Sequence, residues 1–178
     1  MKYFEKHPMV MILIGIIGIS MSAILIRFST APSSVTASWR LLWTVILMTP
    51  VTFGKGAVRK ELFSIDRKTV ALSLISGIFL AIHFWFWFES LRLTSVASAS
   101  TIVSTEVIWV SIGFFLFLKG KLSLKAIAAI AVAFVGSGFV AFADSGAGGT
   151  HLTGDLFALL AAMAVAVYML IGRIVRAN

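Results

Sequence analysis

The stretch LTSVASASTIVSTEVIWVSIGFFLFL, residues 93–118, is a long apolar run in which Glu106 is the only charged side chain. A transmembrane helix needs about 20 predominantly apolar residues, so this run is long enough to cross a bilayer. A carboxylate inside the hydrocarbon core is costly, and such a group faces a protein partner, water or a substrate rather than lipid. Glu106 is therefore the first candidate functional residue of the chain.

The rest of the composition is also that of a membrane protein. The chain has 178 residues, of which 60% are hydrophobic and 12% are charged, and its mean hydropathy is +1.03. Further apolar segments occupy residues 9–26, 35–51, 70–88, 126–143 and 156–172. In lipid only helices and closed barrels satisfy their backbone groups, and these continuous runs lack the alternation of barrel strands. The sequence predicts an all-α, polytopic membrane protein with six transmembrane helices.

The basic residues indicate how the helices are oriented. With a cytoplasmic N-terminus, all of the 15 lysines and arginines lie on the inside except Arg27, Arg40 and Arg92. This bias follows the positive-inside rule, so the net charge of +8 reflects topology and does not indicate nucleic-acid binding. We expect a multi-pass protein of the cell (inner or plasma) membrane, whose first partner is the lipid bilayer.

Several function classes are disfavoured by what the sequence lacks. The chain contains no cysteine, which excludes disulfides, thiolate catalysis and cysteine metal sites. No metal-binding spacing such as His-Glu-x-x-His is present, so we expect no enzymatic activity, no catalytic residue, no metal and no cofactor. The first apolar segment is longer than the apolar region of a cleaved signal peptide, and it is interpreted as a retained helix.

Three ionisable side chains fall at similar depths in the predicted helices. At a rise of about 1.5 Å per residue, Arg40 lies roughly 8 Å, His83 about 10 Å and Glu106 about 15 Å from the outer helix ends. We predict that they meet in a polar cavity that binds a small molecule. Arg40 would bind a carboxylate or phosphate, and Glu106 a substrate amine or a coupling proton. His83 would act as a hydrogen-bond donor or relay.

The alternative is structural: a buried Arg40–Glu106 ion pair would hold the helices together, with His83 bonded to a backbone carbonyl or a serine. Trp87, on the face of His83, and Trp109, one turn after Glu106, are further candidates for substrate binding. Anchoring at the membrane interface is the usual alternative for tryptophan. Thr105 either lines the cavity or bonds back to its own helix.

A family resemblance supports the transport interpretation. Residues 82–110 read IHFWFWFESLRLTSVASASTIVSTEVIWV, residues 37–42 read ASWRLL, residues 136–138 read GSG and residues 154–159 read GDLFAL. In order and spacing, these segments resemble the EamA family of the drug/metabolite transporter superfamily. That family often has a proline, and with it a helix break, where this chain has Glu106 or Val107. It also commonly has Gly-Glu where this chain has Lys119-Gly120-Lys121.

The resemblance implies a domain organisation. Family members usually have ten helices in two five-helix repeats of opposite orientation. Residues 1–143 would form the first repeat, with helices at about 8–28, 34–52, 70–90, 95–118 and 123–143. Residues 144–153 would be an outer loop, and residues 154–178 would begin the second repeat with a helix at about 154–173. The chain is thus expected to be a partial transporter.

The function implied is transport of small metabolites or amphipathic compounds, amino-acid-like or drug-like, by alternating access. Protons are a candidate coupling ion. The alternative is a non-transporting membrane fragment or assembly element that needs a partner chain to complete the bundle. A homodimer or a complementary chain is a candidate partner under either interpretation.

Overall fold

The computed structural model describes residues 8–54, 56–120, 123–145 and 151–177. Within these residues the chain forms eight α-helices and no strand. The helices are α1 (Pro8–Phe28), α2 (Ser33–Gly54), α3 (Gly56–Phe63), α4 (Arg67–Leu93), α5 (Val96–Val103), α6 (Glu106–Leu118), α7 (Leu124–Ser145) and α8 (His151–Ala177).

The predicted class of all-α, polytopic membrane protein is confirmed. In the described ranges, four stretches are long and apolar enough to cross a bilayer by length and composition: Met9–Phe28, Arg67–Leu93, Val96–Leu118 and His151–Arg176. A shorter apolar stretch, Leu124–Val140, lies in α7. The 22-residue α2 occupies the second predicted position and contains Arg40 and Pro50, which lower its hydrophobicity.

The structure differs from the predicted helices most clearly at three places. A short helix that was not predicted, α3, occupies part of the connection between the second and third predicted helices. The helix expected to run unbroken over about 95–118 is divided into α5 and α6 at Ser104 and Thr105. In addition, α8 begins at His151, inside the predicted outer loop 144–153. Gly154 and Asp155, in the first turns of α8, pack against the end of α4, so a tertiary contact outweighs the loop-like local composition. Residues 146–150, the centre of the predicted loop, lie outside the described residues.

Local capping fixes both ends of α4. The carboxylate of Asp66 accepts hydrogen bonds from the backbone N–H groups of Lys68 (3.1 Å) and Thr69 (3.2 Å), which otherwise have no partner within the helix. Hydrogen bonding to Thr69 holds the pKa of Asp66 below its usual value. At the other end, Thr94 is extended and Ser95 caps α5 by accepting from Ser98 N–H at 3.0 Å. The chain therefore reverses sharply between α4 and α5.

The centre of the bundle is the pairing of α4 with α8, which is the most extensive helix–helix contact among the described residues. Alanines of α8 fill this interface, and Ala158, Ala161 and Ala162 have no exposed surface. Small residues let membrane helices approach closely, where van der Waals packing replaces the hydrophobic effect. On the α4 side, Phe88 and Leu91 are likewise fully buried.

Helices α1 and α2 join this centre only at one end of the bundle, which we call the Thr94 end because it carries the α4–α5 turn. Their buried residues are Ala23, Ser33 and Ala37, all close to that end. Residues 9–21 of α1 and 42–51 of α2 are exposed throughout. The two helices are therefore held at the Thr94 end and leave the rest of their length available to lipid or to other protein surfaces.

The close contact between Gly154 and Thr94 predicts that the packing of α8 against α4 requires a glycine at position 154. A Cβ atom added to Gly154 would lie 2.7 Å from both the Cβ and the backbone nitrogen of Thr94, and 2.8 Å from the carbonyl carbon of Leu93. Because backbone cannot move aside as a flexible side chain can, Gly154→Ala should separate α8 from α4. We expect destabilisation of about 1–3 kcal/mol, measured as thermal unfolding in detergent.

Gly136→Ala is the matched control, since nothing lies within 4 Å of an added Cβ at that helical position. Its unfolding temperature should be unchanged or slightly higher, because alanine favours a helix more than glycine does. Equal effects of the two substitutions would contradict the proposed close contact.

Candidate functional site

A cavity of about 470 Å³, which we call the central cavity, lies among α1, α2, α4, the α5–α6 junction and α8. Arg40, His83, Trp87 and Glu106 all contribute to its lining. Four of the six predicted site residues, from three different helices, therefore line the same cavity. Ser20, Phe84 and Ser100 also line it, and the sequence analysis had not selected them as ligands.

Arg40 reaches into the bundle from α2 and lies against an aromatic surface. Its guanidinium carbon is 4.8 Å from the ring centroid of Phe84 and 5.7 Å from that of Trp87, which are cation–π distances. One guanidinium nitrogen donates a hydrogen bond to the hydroxyl oxygen of Ser22 on α1 at 2.7 Å. The aromatic rings and the hydroxyl together hold a half-buried cation at this depth.

Arg40 and Glu106 line the cavity without binding each other. In the described ranges no salt bridge joins them, and the described hydrogen bond of Arg40 goes to Ser22 instead. The buried ion pair considered as the structural alternative is thus not formed in this conformation. A cationic group and an anionic group consequently both face the central cavity.

His83 links α4 to α8. It is buried, and its Nδ1 atom lies 2.9 Å from the backbone carbonyl oxygen of Ala161. Because a carbonyl oxygen can only accept, Nδ1 carries the proton and donates. This is the backbone contact that the sequence analysis gave as the structural alternative for His83. The ring also stacks on Trp87, with centroids 6.0 Å apart, so His83 positions the aromatic wall of the cavity.

Glu106 stands at a break in the predicted fourth transmembrane helix. The backbone N–H of Thr105 bonds to the carbonyl of Ile102 at 3.0 Å, and that of Ile108 bonds to the carbonyl of Thr105 at 2.8 Å. Both bonds span three residues instead of four, which is the tighter 3₁₀ pattern. The break occurs without the proline that the family resemblance led us to associate with it.

The break has an electrostatic consequence for Glu106. The residue opens α6, so its carboxylate lies at the positive end of a helix dipole and not in the middle of a continuous helix. The dipole offsets part of the cost of placing a carboxylate at this depth. The prediction of an unbroken helix missed this feature because no proline or glycine interrupts the apolar run there, although Ser104, Thr105 and Glu106 are residue types that favour a helix start.

Thr105 and Trp109 lie apart from the central cavity. They line a smaller cavity of about 230 Å³ between the α5–α6 segment and α7, together with apolar residues such as Ile108 and Phe134. The hydroxyl of Thr105 donates to the carbonyl of Ile102 at 2.6 Å, so it bonds back to its own chain as the alternative interpretation had it. The indole N–H of Trp109 is buried, and no described residue accepts a hydrogen bond from it.

A hydrogen-bonded clamp closes the Thr94 end of the bundle. Thr94 Oγ1 and Ser98 Oγ donate to the same carboxylate oxygen of Asp155, at 2.9 and 2.8 Å, and all three side chains are buried. From α1, the Arg27 guanidinium donates to the backbone carbonyls of Leu91 and Thr94. The clamp therefore connects α1, α4, α5 and α8.

A second polar contact at the same end joins α2 to α4. The hydroxyl of Ser33 donates to a carboxylate oxygen of Glu89 at 2.5 Å. The sequence analysis selected none of these clamp residues for a role. A usable signal was the pairing of a glycine with an acidic residue, Gly154-Asp155, at the start of an apolar segment.

Together, the long apolar helices and the polar cavity among them are those of a multi-pass membrane protein. A comparison with protein-family models matches residues 7–142 to the EamA-like transporter family. The chain therefore belongs to this family of membrane transporters, as the resemblance had indicated. Searches of curated proteins and of solved structures gave no match.

Substitution of Asp155 tests whether the hydrogen bonds of the clamp stabilise the helix bundle. In Asp155→Ala, the buried hydroxyls of Thr94 and Ser98 lose their common acceptor, and each unsatisfied group costs about 1–3 kcal/mol. Asp155→Asn should be much closer to the wild type, because both bonds go to one oxygen that an amide retains. Thermal unfolding in detergent measures the difference, and equal losses in the two variants would show that charge matters instead of hydrogen bonding.

Proposed function

We propose that this protein moves a small metabolite or amphipathic compound across the membrane by alternating access, and that the substrate binds in the central cavity. The observation that carries the proposal is the joint presence of Arg40 and Glu106 in one cavity without a salt bridge between them. Ionisable residues inside a membrane protein commonly mark a substrate or ion pathway. Here both charges remain available to a ligand.

The cavity lining indicates the substrate class. Arg40 supplies hydrogen-bond donors for a carboxylate or phosphate, and Glu106 supplies an acceptor for an amine. Phe84 and Trp87 provide an apolar wall next to Arg40. The volume of about 470 Å³ lies within the range of small-molecule sites. An amino-acid-like zwitterion with an apolar side chain fits these groups, as does a drug-like compound with the same charges.

Alternating access requires a part of the bundle that opens and a part that bends. The clamp at the Thr94 end is a set of hydrogen bonds among four helices, and breaking it would open the cavity on that side. The 3₁₀ turn at Ser104 and Thr105 lies directly beside Glu106 and is the natural place for α6 to tilt against α5. Binding of a proton or of a substrate amine by Glu106 would then change the interactions next to this 3₁₀ turn.

We test the role of Glu106 with Glu106→Gln in proteoliposomes, using radiolabelled phenylalanine and leucine as probes and an imposed pH gradient. Uptake should fall at least about tenfold, because a lost hydrogen bond to a charged group costs about 1.5–3 kcal/mol. The remaining uptake should no longer respond to the gradient. Glu61→Gln is the control, since Glu61 is exposed on α3 and does not line the central cavity. Unchanged flux and pH response in Glu106→Gln would remove this residue from the mechanism.

The proposed location is the plasma (inner) membrane, with the N-terminus in the cytoplasm and the Thr94 end outside. The support is the distribution of basic residues along the sequence. The absence of native cysteines allows a direct test with single cysteines and a membrane-impermeant maleimide. Thr30→Cys, in the α1–α2 turn, should react in intact cells, whereas Ser64→Cys, between α3 and α4, should react only after lysis. The reverse pattern would invert the topology.

A second candidate function is that of a membrane element that needs a partner to complete its bundle. It is favoured by the apolar surfaces of α1 and α7 that do not contact the other described helices and could pack against a partner. Val132 on α7, for example, is 73% exposed. We propose a second copy of the chain or a complementary chain as that partner. Cross-linking of Val132→Cys in native membranes would reveal a dimer through α7. Flux by the purified chain alone would contradict the non-transporting interpretation.

A further inference from the structure

A second opening, the α1–α2 crevice, has a volume of about 400 Å³ and adjoins the central cavity, with which it shares Ile19 and Arg40. None of the described residues that line it is acidic. The lining that concerns us comprises Gly15, Gly18 and Ser22 of α1, Thr36 and Arg40 of α2, and Phe88 of α4. The crevice thus combines one cation with two hydroxyl groups in an otherwise apolar surface.

The polar groups of the crevice are arranged as hydrogen-bond donors. A guanidinium group has five N–H donors, and the described hydrogen bonds of Arg40 use one, which goes to the oxygen of Ser22. Because Ser22 accepts from Arg40, its own hydroxyl hydrogen remains available, and no described residue accepts it. Thr36 differs, since its hydroxyl donates to the carbonyl of Pro32 at 3.3 Å. Arg40 and Ser22 together therefore present adjacent donors suited to an anion.

The remainder of the crevice suits an apolar chain. No described atom lies within 4 Å of a Cβ added to Gly15 or Gly18, so this part of the α1 surface is open and has room for an apolar chain. Both glycines belong to the span Met9–Phe28, and the crevice therefore opens at the depth of the hydrocarbon core. Gly15 lies seven residues before Ser22, a distance of about 10 Å along the helix. A molecule whose anionic group rests on Arg40 would extend its apolar part over Gly18 towards Gly15.

We propose that the α1–α2 crevice binds an anionic amphiphile, whose carboxylate or phosphate is held by Arg40 and Ser22 and whose apolar tail lies along Gly18 and Gly15. The site adjoins the central cavity and shares Arg40 with it. It does not depend on the proposed transport function. A membrane phospholipid and a free fatty acid both carry this chemistry, and the experiment separates these two sources.

The test uses fluorescence quenching of Trp87, whose ring centroid is 5.7 Å from the Arg40 guanidinium carbon. In a chain that keeps Trp87 while Trp39, Trp43, Trp85 and Trp109 are replaced by phenylalanine, brominated stearate is titrated into phosphatidylcholine nanodiscs. A parallel series uses brominated phosphatidylglycerol, and brominated methyl stearate is the uncharged control. We expect saturable quenching by one or both anionic probes and none by the ester. Saturation by the ester as well, or by no probe, would overturn the proposal.

Substitutions locate the bound molecule. Arg40→Gln removes the cation, and Gly18→Leu fills the space along α1. Each substitution should raise the apparent Kd of the anionic probe at least tenfold. Gly77→Leu is the matched control, since Gly77 is also open within a helix but lies outside the crevice. Glu106→Gln should not weaken binding, because Glu106 lines only the central cavity of the two and its negative charge repels an anion. An effect of Glu106→Gln equal to that of Arg40→Gln would place the probe in the central cavity and refute a separate site.

A second measurement avoids the tryptophan replacements. In the chain with all five tryptophans, oleate should raise the thermal unfolding temperature of the wild type and of Gly77→Leu, but not that of Gly18→Leu. Equal stabilisation of the three proteins would contradict binding in the crevice. Transport by the central cavity could still be found in that case, so the two proposals fail independently.

Discussion

The close approach of α8 to the α4–α5 turn is the contact on which the arrangement of the other helices depends. Gly154 lets the two backbones meet, and Asp155, the next residue, accepts hydrogen bonds from two buried hydroxyl groups. The hydrogen bonds depend on the close approach, because a larger residue at position 154 would move the carboxylate away from its donors. The pairing of α4 with α8 that follows from this contact places His83 against Ala161 and forms one wall of the central cavity.

The polar groups of the clamp and those of the central cavity differ in how completely they are paired with other protein groups. At the Thr94 end, each donor in the clamp has an acceptor on a neighbouring helix, which favours a rigid connection. In the cavity, Arg40 is held by aromatic rings and one hydroxyl, while Glu106 is supported by the start of α6. These partners stabilise each charge without using up its capacity to bind. The contrast explains why the cavity, and not the clamp, is the better candidate for a substrate site.

Sequence reasoning was most successful for properties that the length of an apolar run and the thickness of a bilayer determine. The apolar runs gave the class and the helix positions, and the bilayer thickness placed Arg40, His83 and Glu106 at comparable depths, where they do line one cavity. It failed where the direction of a side chain decided the outcome. Trp109 is one turn from Glu106, yet the break at Thr105 and the packing of α7 direct it to another cavity. Spacing along a helix cannot reveal a break that no proline or glycine announces.

Arg40 shows why depth alone does not assign a role. Its flexible stem could reach Glu106 across the cavity, and the sequence offered no reason to prefer another partner. The aromatic residues of α4 decide the outcome, since Phe84 and Trp87 attract the cation towards α4 and Ser22 holds it beside α1. In that position Arg40 lines both the central cavity and the α1–α2 crevice. An anion bound in either one would compete for the same donors, so occupancy of the crevice would lower the affinity of the cavity for an anionic substrate.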